Sequence, residues 1–174
     1  DQQDLQHVPI GTQAFIAIGG NKTRLGIAST FKNLTWVTIV HPTAFVDPTA
    51  WLGAGTFVNV HSSVMAFVKI GTHCIINTNS SIDHDCIVGD YVHVAPGCSI
   101  CGDVSIGTGS LIGVGTASQP KLSIGHWVTV GGGSIITKAI KNHSVGFGNP
   151  YRTRKRSITC WISWILTSVV HGRH

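Results

Sequence analysis

An unbroken six-residue repeat runs through the middle of the chain and limits the folds that it can adopt. Counted every six residues from Val40 to Ile136, sixteen of seventeen positions carry Val, Ile or Leu, and Ser118 is the exception. The positions four residues after these are mostly small, and none is charged. An α-helix turns through about 600° in six residues, so it cannot keep this pattern on one face, and a flat strand needs a period of two.

The repeat instead predicts a coil of short straight sides whose successive turns pair as parallel strands. Each side supplies one large and one small inward residue, and Gly lies near the corner because it follows the aliphatic position seven times. This pattern resembles that of hexapeptide-repeat proteins, and the resemblance implies three sides, eighteen residues per turn and left-handed coiling. We therefore expect an all-β, left-handed parallel β-helix in which residues 40–141 form five to six coils.

The residues before the repeat follow a different pattern. Phe15–Ile18 is a short apolar stretch that predicts a strand, Lys22–Phe31 predicts a helix, and Trp36–Val40 predicts a second strand. We expect residues 1–39 to form a partial β-α-β, Rossmann-like remnant. Its Gly19-Gly20-Asn21 turn is either a phosphate-facing turn, because backbone N–H groups after a strand can bind phosphate, or a plain turn.

The residues after the repeat, 142–174, are expected to be a C-terminal loop, a basic run and an apolar tail. His143–Pro150 is predicted to be the loop. The apolar stretch Ile158–Val170 is too short to cross a bilayer, so no membrane span is predicted. A short helix that packs on the end of the coil or on a neighbouring subunit fits this stretch.

Charge is concentrated towards the C-terminus. Residues 1–103 contain four Lys or Arg and seven Asp, whereas residues 104–174 contain eight Lys or Arg and no acid. A basic half favours an anionic ligand, and a phosphorylated small molecule fits. No nucleic-acid-binding motif accompanies the charge, so we expect no nucleic-acid partner. A contribution to solubility alone is the alternative interpretation.

The five cysteines do not have the spacing of a disulfide framework, and the sequence has no signal peptide, so a reducing cytoplasm is the expected location. Cys74, Cys86 and Cys98 fall at small inward positions, where Cys behaves as an apolar residue. Cys101 falls at an outward position. Cys98 and Cys101 are therefore not expected to form a metal or redox pair.

The most informative polar segment is Asp83-His84-Asp85, at a predicted corner. A carboxylate beside a histidine selects its tautomer and raises its basicity, so His84 is a candidate general base. A solvated histidine between two acids is the alternative. Eighteen-residue stacking puts His84 beneath Gly102, whose backbone N–H can then stabilise an oxyanion.

A second histidine, His93, lies nine residues from His84, which is half a turn of the coil. The two side chains are then on opposite sides of the prism, roughly 15 Å or more apart at ~3.3 Å per residue. If both are functional, they meet only where two subunits pack side by side, which a cyclic trimer provides. The carbonic-anhydrase type of β-helix needs two histidines five residues apart, which this chain lacks, so no metal is expected.

These features together carry a family resemblance over roughly residues 13–156. The segments Ile76–Asp85, Val88–Gly97 and Val130–Ser134 resemble those of the sialic acid O-acetyltransferase-like family of hexapeptide acetyltransferases. That family includes bacterial nucleotide-linked 4-amino-sugar N-acetyltransferases. The resemblance implies acetyl-CoA as co-substrate, a homotrimer, and a sugar or nucleotide-sugar substrate used in surface glycan synthesis.

The resemblance also implies catalytic roles. His84 is the expected general base, and Asp85 is the acid that raises its basicity. His84 removes a proton from the sugar amine or hydroxyl, the freed nucleophile attacks the acetyl thioester, and the Gly102 N–H stabilises the oxyanion. The protonated His84 then protonates the CoA sulfur, and no covalent enzyme intermediate is needed.

The same resemblance implies the binding residues. His93 contacts acetyl-CoA from the adjoining subunit, and the backbones of Val114 and Gly132, with that of Gly102, line the thioester and pantetheine path. Gly19 touches the nucleotide-sugar. The family begins with a complete Rossmann-like domain, of which only the last portion precedes the repeat here, so an incomplete nucleotide pocket is expected.

N-acetylation of a nucleotide-linked amino sugar is the favoured function. Two alternatives remain from the sequence. One is O-acetylation of a sialic acid or another small hydroxyl compound, and the other is a catalytically silent β-helix that serves as a scaffold.

Overall fold

A computed structural model describes residues 8–154. It contains one helix, α1 (Asn21–Thr30), and 21 short strands. The strands are β1 (Gln13–Ala14), β2 (Thr35–Trp36), β3 (Ile39–Val40), β4 (Phe45–Val46), β5 (Trp51–Leu52), β6 (Phe57–Val58), β7 (Ser63–Val64), β8 (Lys69–Ile70), β9 (Ile75–Ile76), β10 (Ser81–Ile82), β11 (Ile87–Val88), β12 (His93–Val94), β13 (Ser99–Ile100), β14 (Ser105–Ile106), β15 (Leu111–Ile112), β16 (Ala117–Ser118), β17 (Ser123–Ile124), β18 (Thr129–Val130), β19 (Ile135–Ile136), β20 (Val145–Phe147) and β21 (Arg152–Thr153).

Three parallel sheets form the faces of a prism, and the predicted left-handed parallel β-helix is confirmed. The first face contains β3, β6, β9, β12, β15, β18 and β20, and β21 pairs antiparallel with β20. The second face contains β4, β7, β10, β13, β16 and β19. The third face contains β5, β8, β11, β14 and β17. Partners lie eighteen residues apart, as in the pairing of Ile82 with Ile100. We call the corner between the first and second faces the first corner, that between the second and third the second corner, and that between the third and first the third corner.

The inward residues form one continuous core. From Val58 onward every aliphatic position of the repeat is buried, including Ser118, whose hydroxyl accepts a hydrogen bond from the Cys101 N–H at 3.1 Å. The small positions are also buried from Thr56 to Ser134, apart from Leu122, which is partly buried. Burying these side chains, at about 1.5–3 kcal/mol for each large aliphatic one, stabilises a coil whose strands are only two or three residues long.

Two backbone requirements shape the corners. Glycines after the aliphatic position allow close stacking, because a Cβ on Gly53 would lie 2.6 Å from the backbone of Gly71 in the next turn. A second position has a positive φ in nearly every turn, and at ten places it is not glycine, as at Asp85 and Trp127. Because these ten positions do not carry glycine, the sequence did not reveal that a positive φ is required there.

The C-terminal end differs from the prediction. The coil has about seven turns, more than the five to six predicted, because the expected loop at His143–Pro150 contains β20. β20 pairs with β18 through Thr129 and Val145, which are sixteen residues apart instead of eighteen. The loss of two residues from this turn breaks the period and hides the strand. The predicted apolar segment Ile158–Val170 lies outside the described residues.

The N-terminal residues form the expected β-α-β unit with shifted boundaries. β1 and β2 pair in parallel, and α1 connects them. Phe15–Ile18, predicted as a strand, follows β1 without forming a strand. The unit packs on the coil through Phe15, whose ring centroid is 5.6 Å from that of Phe57, and through Trp36, 5.1 Å from His73. The Rossmann-like assignment and the domain boundaries at 39 and 141 stay predictions.

Candidate active site

The second corner carries an exposed histidine held by a carboxylate. The His84 Nδ1 lies 2.8 Å from Asp85 Oδ2, and both side chains are more than half exposed, at 59% and 56%. The positive φ of Asp85, 60°, turns its side chain back towards the ring. Asp83 accepts the His84 N–H at 2.8 Å and holds the turn. Because Nδ1 donates to Asp85, Nε2 is the nitrogen that is free to accept a proton.

Gly102 lies directly under this nitrogen, as the eighteen-residue stacking predicted. A Cβ placed on Gly102 would be 2.6 Å from His84 Nε2, so only glycine leaves room for the ring. The N–H of Gly102 donates to no acceptor among residues 8–154. A base and an unpaired N–H donor therefore lie side by side, which is the arrangement that acyl transfer requires.

The charge around His84 favours its role as a base. The hydrogen bond to Asp85 raises the pKa of His84, and the negative charge of Asp83 adds to the effect. A small cleft of about 240 Å³ opens beside the pair and is lined by Asp85, Asp103 and Lys121, among others. The basic nitrogen is thus open to a substrate.

Val114 and Gly132 meet at a different place, the first corner. A Cβ on Gly132 would lie 2.9 Å from Val114 Cγ1, so the two residues are stacked neighbours. Their N–H groups, like that of Gly102, have no acceptor within the described part of the chain. The corresponding N–H of Thr78 at the same corner is bonded to Asn77 Oδ1 at 2.8 Å. The predicted residues therefore offer donors that an elongated ligand can use.

His93 lies on the first face, where it joins the coil to the Gly19 turn. Its Nε2 is 3.1 Å from the amide nitrogen of Asn77, and its ring also forms a hydrogen bond with the backbone of Gly19. The Asn77 Oδ1 already accepts from Asn59 Nδ2 at 3.0 Å, so the Asn77 amide nitrogen must donate to His93. This network indicates a neutral ring with its proton on Nδ1. Burial and the charge of Arg24 lower the pKa of His93 accordingly.

Sequence reasoning missed Asn77 as a partner of His93. The two residues are sixteen apart, and no motif relates an amide to a histidine at that distance. Asn77 was noticed only as part of the family-like segment. One signal was present in the repeat: Asn77 lies eighteen residues after Asn59, so the two side chains stack at the first corner and form a hydrogen bond.

One chain does not bring all the predicted residues together. His84 and Gly102 are at the second corner, Val114 and Gly132 are at the first, and His93 is near Gly19 on the first face. The proximity of Gly19 to His93 was not anticipated, because the sequence offered no way to dock the β-α-β unit.

A large basic cavity opens beside the Gly19 turn. It measures about 980 Å³ and lies between the start of α1 and the last turns of the first face. Lys22, Arg154 and His143 line it together with Trp127. The Lys22 Nζ lies 6.0 Å from the centroid of the Trp127 ring. Positive charge and an aromatic surface are suited to a phosphorylated, ring-containing ligand.

The other candidate chemistry is limited. Cys74, Cys86 and Cys98 are buried as predicted, and burial raises the pKa of Cys74 to about 12 and that of Cys86 to about 11, so both stay protonated thiols. Within residues 8–154, no three His, Cys, Asp or Glu side chains are arranged to hold a metal ion. No helix in that range is long and apolar enough to cross a membrane.

A left-handed β-helix with an accessible histidine–carboxylate pair over an unpaired glycine N–H defines a hexapeptide-repeat acyltransferase. No protein-family model matches the chain. The chain is 32% identical over 151 residues to GDP-perosamine N-acetyltransferase of Escherichia coli O157:H7, and the match covers 83% of this chain and 68% of that protein. It belongs to the family of hexapeptide-repeat nucleotide-sugar N-acetyltransferases.

Solved structures agree with this assignment. Perosamine N-acetyltransferase of Caulobacter crescentus, in complex with CoA and GDP-perosamine, superposes with a TM-score of 0.82 at 30% identity over 83% of this chain and 70% of that one. The acetyltransferase domain of PglB from Neisseria gonorrhoeae, in complex with acetyl coenzyme A, gives 0.85 at 29% identity over 88% and 76%. The chain is therefore an acyltransferase that uses acetyl-CoA.

Proposed function

We propose that this chain transfers the acetyl group of acetyl-CoA to the amino group of a sugar linked to a nucleoside diphosphate. The observation that carries the proposal is the His84–Asp85 pair, with Nε2 free and the unpaired Gly102 N–H beside it. The names of the E. coli and Caulobacter relatives, both GDP-perosamine or perosamine N-acetyltransferases, support an amino sugar over a hydroxyl acceptor.

The proposed reaction is a direct transfer. The sugar nitrogen attacks the thioester carbonyl carbon while His84 Nε2 removes its proton, so a C–N bond forms and the C–S bond breaks. The Gly102 N–H faces the negative charge that develops on the carbonyl oxygen. The protonated His84 then gives its proton to the departing sulfur. Asp85 keeps Nδ1 protonated and stabilises the imidazolium in between.

The cavity beside Gly19 is the proposed seat of the nucleoside diphosphate. Lys22 and Arg154 supply positive charge, and the α1 N-terminus has no side-chain cap, so its first N–H groups are available to an anion. The flat Trp127 ring offers a stacking surface. This supports an acceptor that carries phosphates and an aromatic base over a free sialic acid.

The active enzyme is proposed to be a homotrimer. The base at the second corner and the free N–H groups at the first corner could then act on one acetyl-CoA across a subunit boundary. Exposed apolar side chains near the second corner support such an interface, among them Trp51 at 58%, Phe67 at 61% and Ile87 at 57% exposure. Light scattering should give about three times 18.5 kDa, whereas a monomer would remove the shared site.

The proposed location is the cytoplasm. The cysteines that the structure describes, Cys74, Cys86, Cys98 and Cys101, are free thiols, which is the usual state in a reducing compartment.

The test is acetyl transfer to a panel of acceptors. Release of free CoA thiol is measured with GDP- and UDP-linked amino sugars, with sialic acid and without acceptor. Transfer to an amino sugar is expected, and His84→Ala should lose about 10²- to 10⁴-fold in kcat. The control His41→Ala, at a half-buried histidine of the first corner, should retain full activity. Transfer to sialic acid alone would favour O-acetylation. No transfer by the wild-type chain would favour the scaffold.

A further inference from the structure

Arg24 in α1 is a buried cation that has no carboxylate partner among the residues that the structure describes. It is 1% exposed and is the one fully buried residue of α1, whose apolar residues Leu25 and Ile27 are only half-buried. No carboxylate among residues 8–154 lies within ion-pair distance. A buried guanidinium is unfavourable unless its N–H groups are hydrogen-bonded, so its partners explain why it is there.

The first set of partners belongs to the coil. Arg24 Nε donates to the His73 carbonyl at 3.0 Å, and Nη2 donates to the Tyr91 carbonyl at 3.0 Å. Both residues lie at the third corner, one turn apart. Asn21, at the start of α1, extends the contact to the next turn, because its amide donates to the Gly109 carbonyl at 3.0 Å.

The second set of partners belongs to the turn that precedes the helix. Arg24 Nη1 donates to the carbonyls of Ile18 at 3.1 Å and Gly19 at 2.9 Å, and Nη2 donates to Asn21 Oδ1 at 2.9 Å. One planar group thus joins both ends of the turn to two turns of the coil. Because the guanidinium presents its donors in a rigid fork, the contact permits one arrangement, whereas an apolar face could slide.

The held turn forms the wall of the basic cavity. Gly19, Gly20 and Asn21 line it, and Gly19 also bonds to His93 on its other side. We propose that Arg24 is a positioning residue that fixes the Gly19–Asn21 turn against the third corner and so preorganises it for the nucleotide-sugar. This inference rests on the proposed function, which assigns the cavity to that substrate.

Kinetics with each substrate varied in turn test the substrate-facing half of the inference. Arg24→Met should raise KM for the nucleotide-sugar about tenfold or more, because the turn must be ordered on binding, while KM for acetyl-CoA stays within about twofold. Arg24→Lys retains the charge without the fork and should recover only part of the loss. Lys32→Met, which removes an exposed charge just after the same helix, should match the wild type.

Amide hydrogen exchange tests the clamp without any activity. In both Arg24 variants, peptides covering residues 15–30 should exchange about tenfold faster or more, with the amides of β9 to β18 unchanged. If Arg24→Met does not fold, Arg24→Lys carries both measurements.

The outcomes distinguish failure of the clamp, failure of the positioning role and failure of the proposed function. Unchanged exchange at the turn would overturn the clamp. Faster exchange with both KM values unchanged would overturn the positioning role and leave a purely structural residue. Faster exchange in a chain that acetylates no nucleotide-sugar would instead overturn the proposed function on which the positioning role rests.

Discussion

Replacing Gly102 with Ala tests the geometry at the second corner. The added Cβ would lie 2.6 Å from His84 Nε2 and 2.7 Å from Cε1, whereas ordinary contacts begin at 3.4 Å. The ring must therefore retreat by about 0.8 Å. A displacement of ~1 Å in a reacting group can lower the rate about 100-fold, so kcat should fall by that order. Because His84 is exposed, the ring can move at little cost, and Tm should stay within about 2 °C of the wild type.

The assay is release of free CoA thiol under saturating acetyl-CoA and amino-sugar acceptor, with thermal unfolding measured in parallel. Gly26→Ala is the matched control, since a Cβ there meets nothing within 4 Å. Its kcat should equal that of the wild type. In a His84→Ala background, Gly102→Ala should cause no further loss, because the base that it displaces is already absent. A kcat for Gly102→Ala within about threefold of wild type, or losses that multiply in the double variant, would refute the reasoning.

Three further predictions concern charge and packing. Asp85→Asn removes the main cause that raises the pKa of His84, so the acidic limb of the pH–rate profile should move to lower pH while the plateau falls. Burial and a neighbouring guanidinium lower the pKa of His73 in the folded chain below its value of about 6.5 in the unfolded chain. The folded chain therefore disfavours the protonated ring, and Tm should fall as the pH decreases below about 6.5. His73→Phe should weaken that dependence in pH-scanned thermal unfolding. Ile100→Ala, at 1% exposure, should cost about 2–5 kcal/mol in urea unfolding, whereas Ile10→Ala, at 91%, should change little; equal losses would contradict the assignment of the core.

The nucleotide part of the acceptor can be tested separately from its sugar. The cavity beside Gly19 is open to solvent along the first face, and its cationic lining matches the phosphates that every nucleotide-sugar carries. We expect discrimination between purine and pyrimidine nucleotides to depend on the residues that contact the base. The acceptor panel decides this directly, because a preference between GDP- and UDP-linked sugars appears as a ratio of kcat/KM values.

The repeat by itself determined the coil and half of the site. Each six-residue step places the same side chain at the same point of a face, so burial of Ile82 or Cys86 and the position of Gly102 beside His84 follow from counting. Those relations are periodic, and a periodic structure can be predicted from its period. The pairing of His84 with Asp85 is also local, because adjacent residues at a corner need only a suitable φ to meet.

Only the tertiary structure decided how the remaining parts meet. β20 was hidden because its turn is two residues short, and the bonds from Arg24 to His73 and from His93 to Asn77 and Gly19 join segments that share no period. Such contacts depend on where the β-α-β unit docks, which is set by a few directional hydrogen bonds and aromatic contacts rather than by a repeating apolar pattern. The sequence determined the prism and the position of the candidate general base, and the docking of the β-α-β unit determined the wall of the proposed substrate cavity.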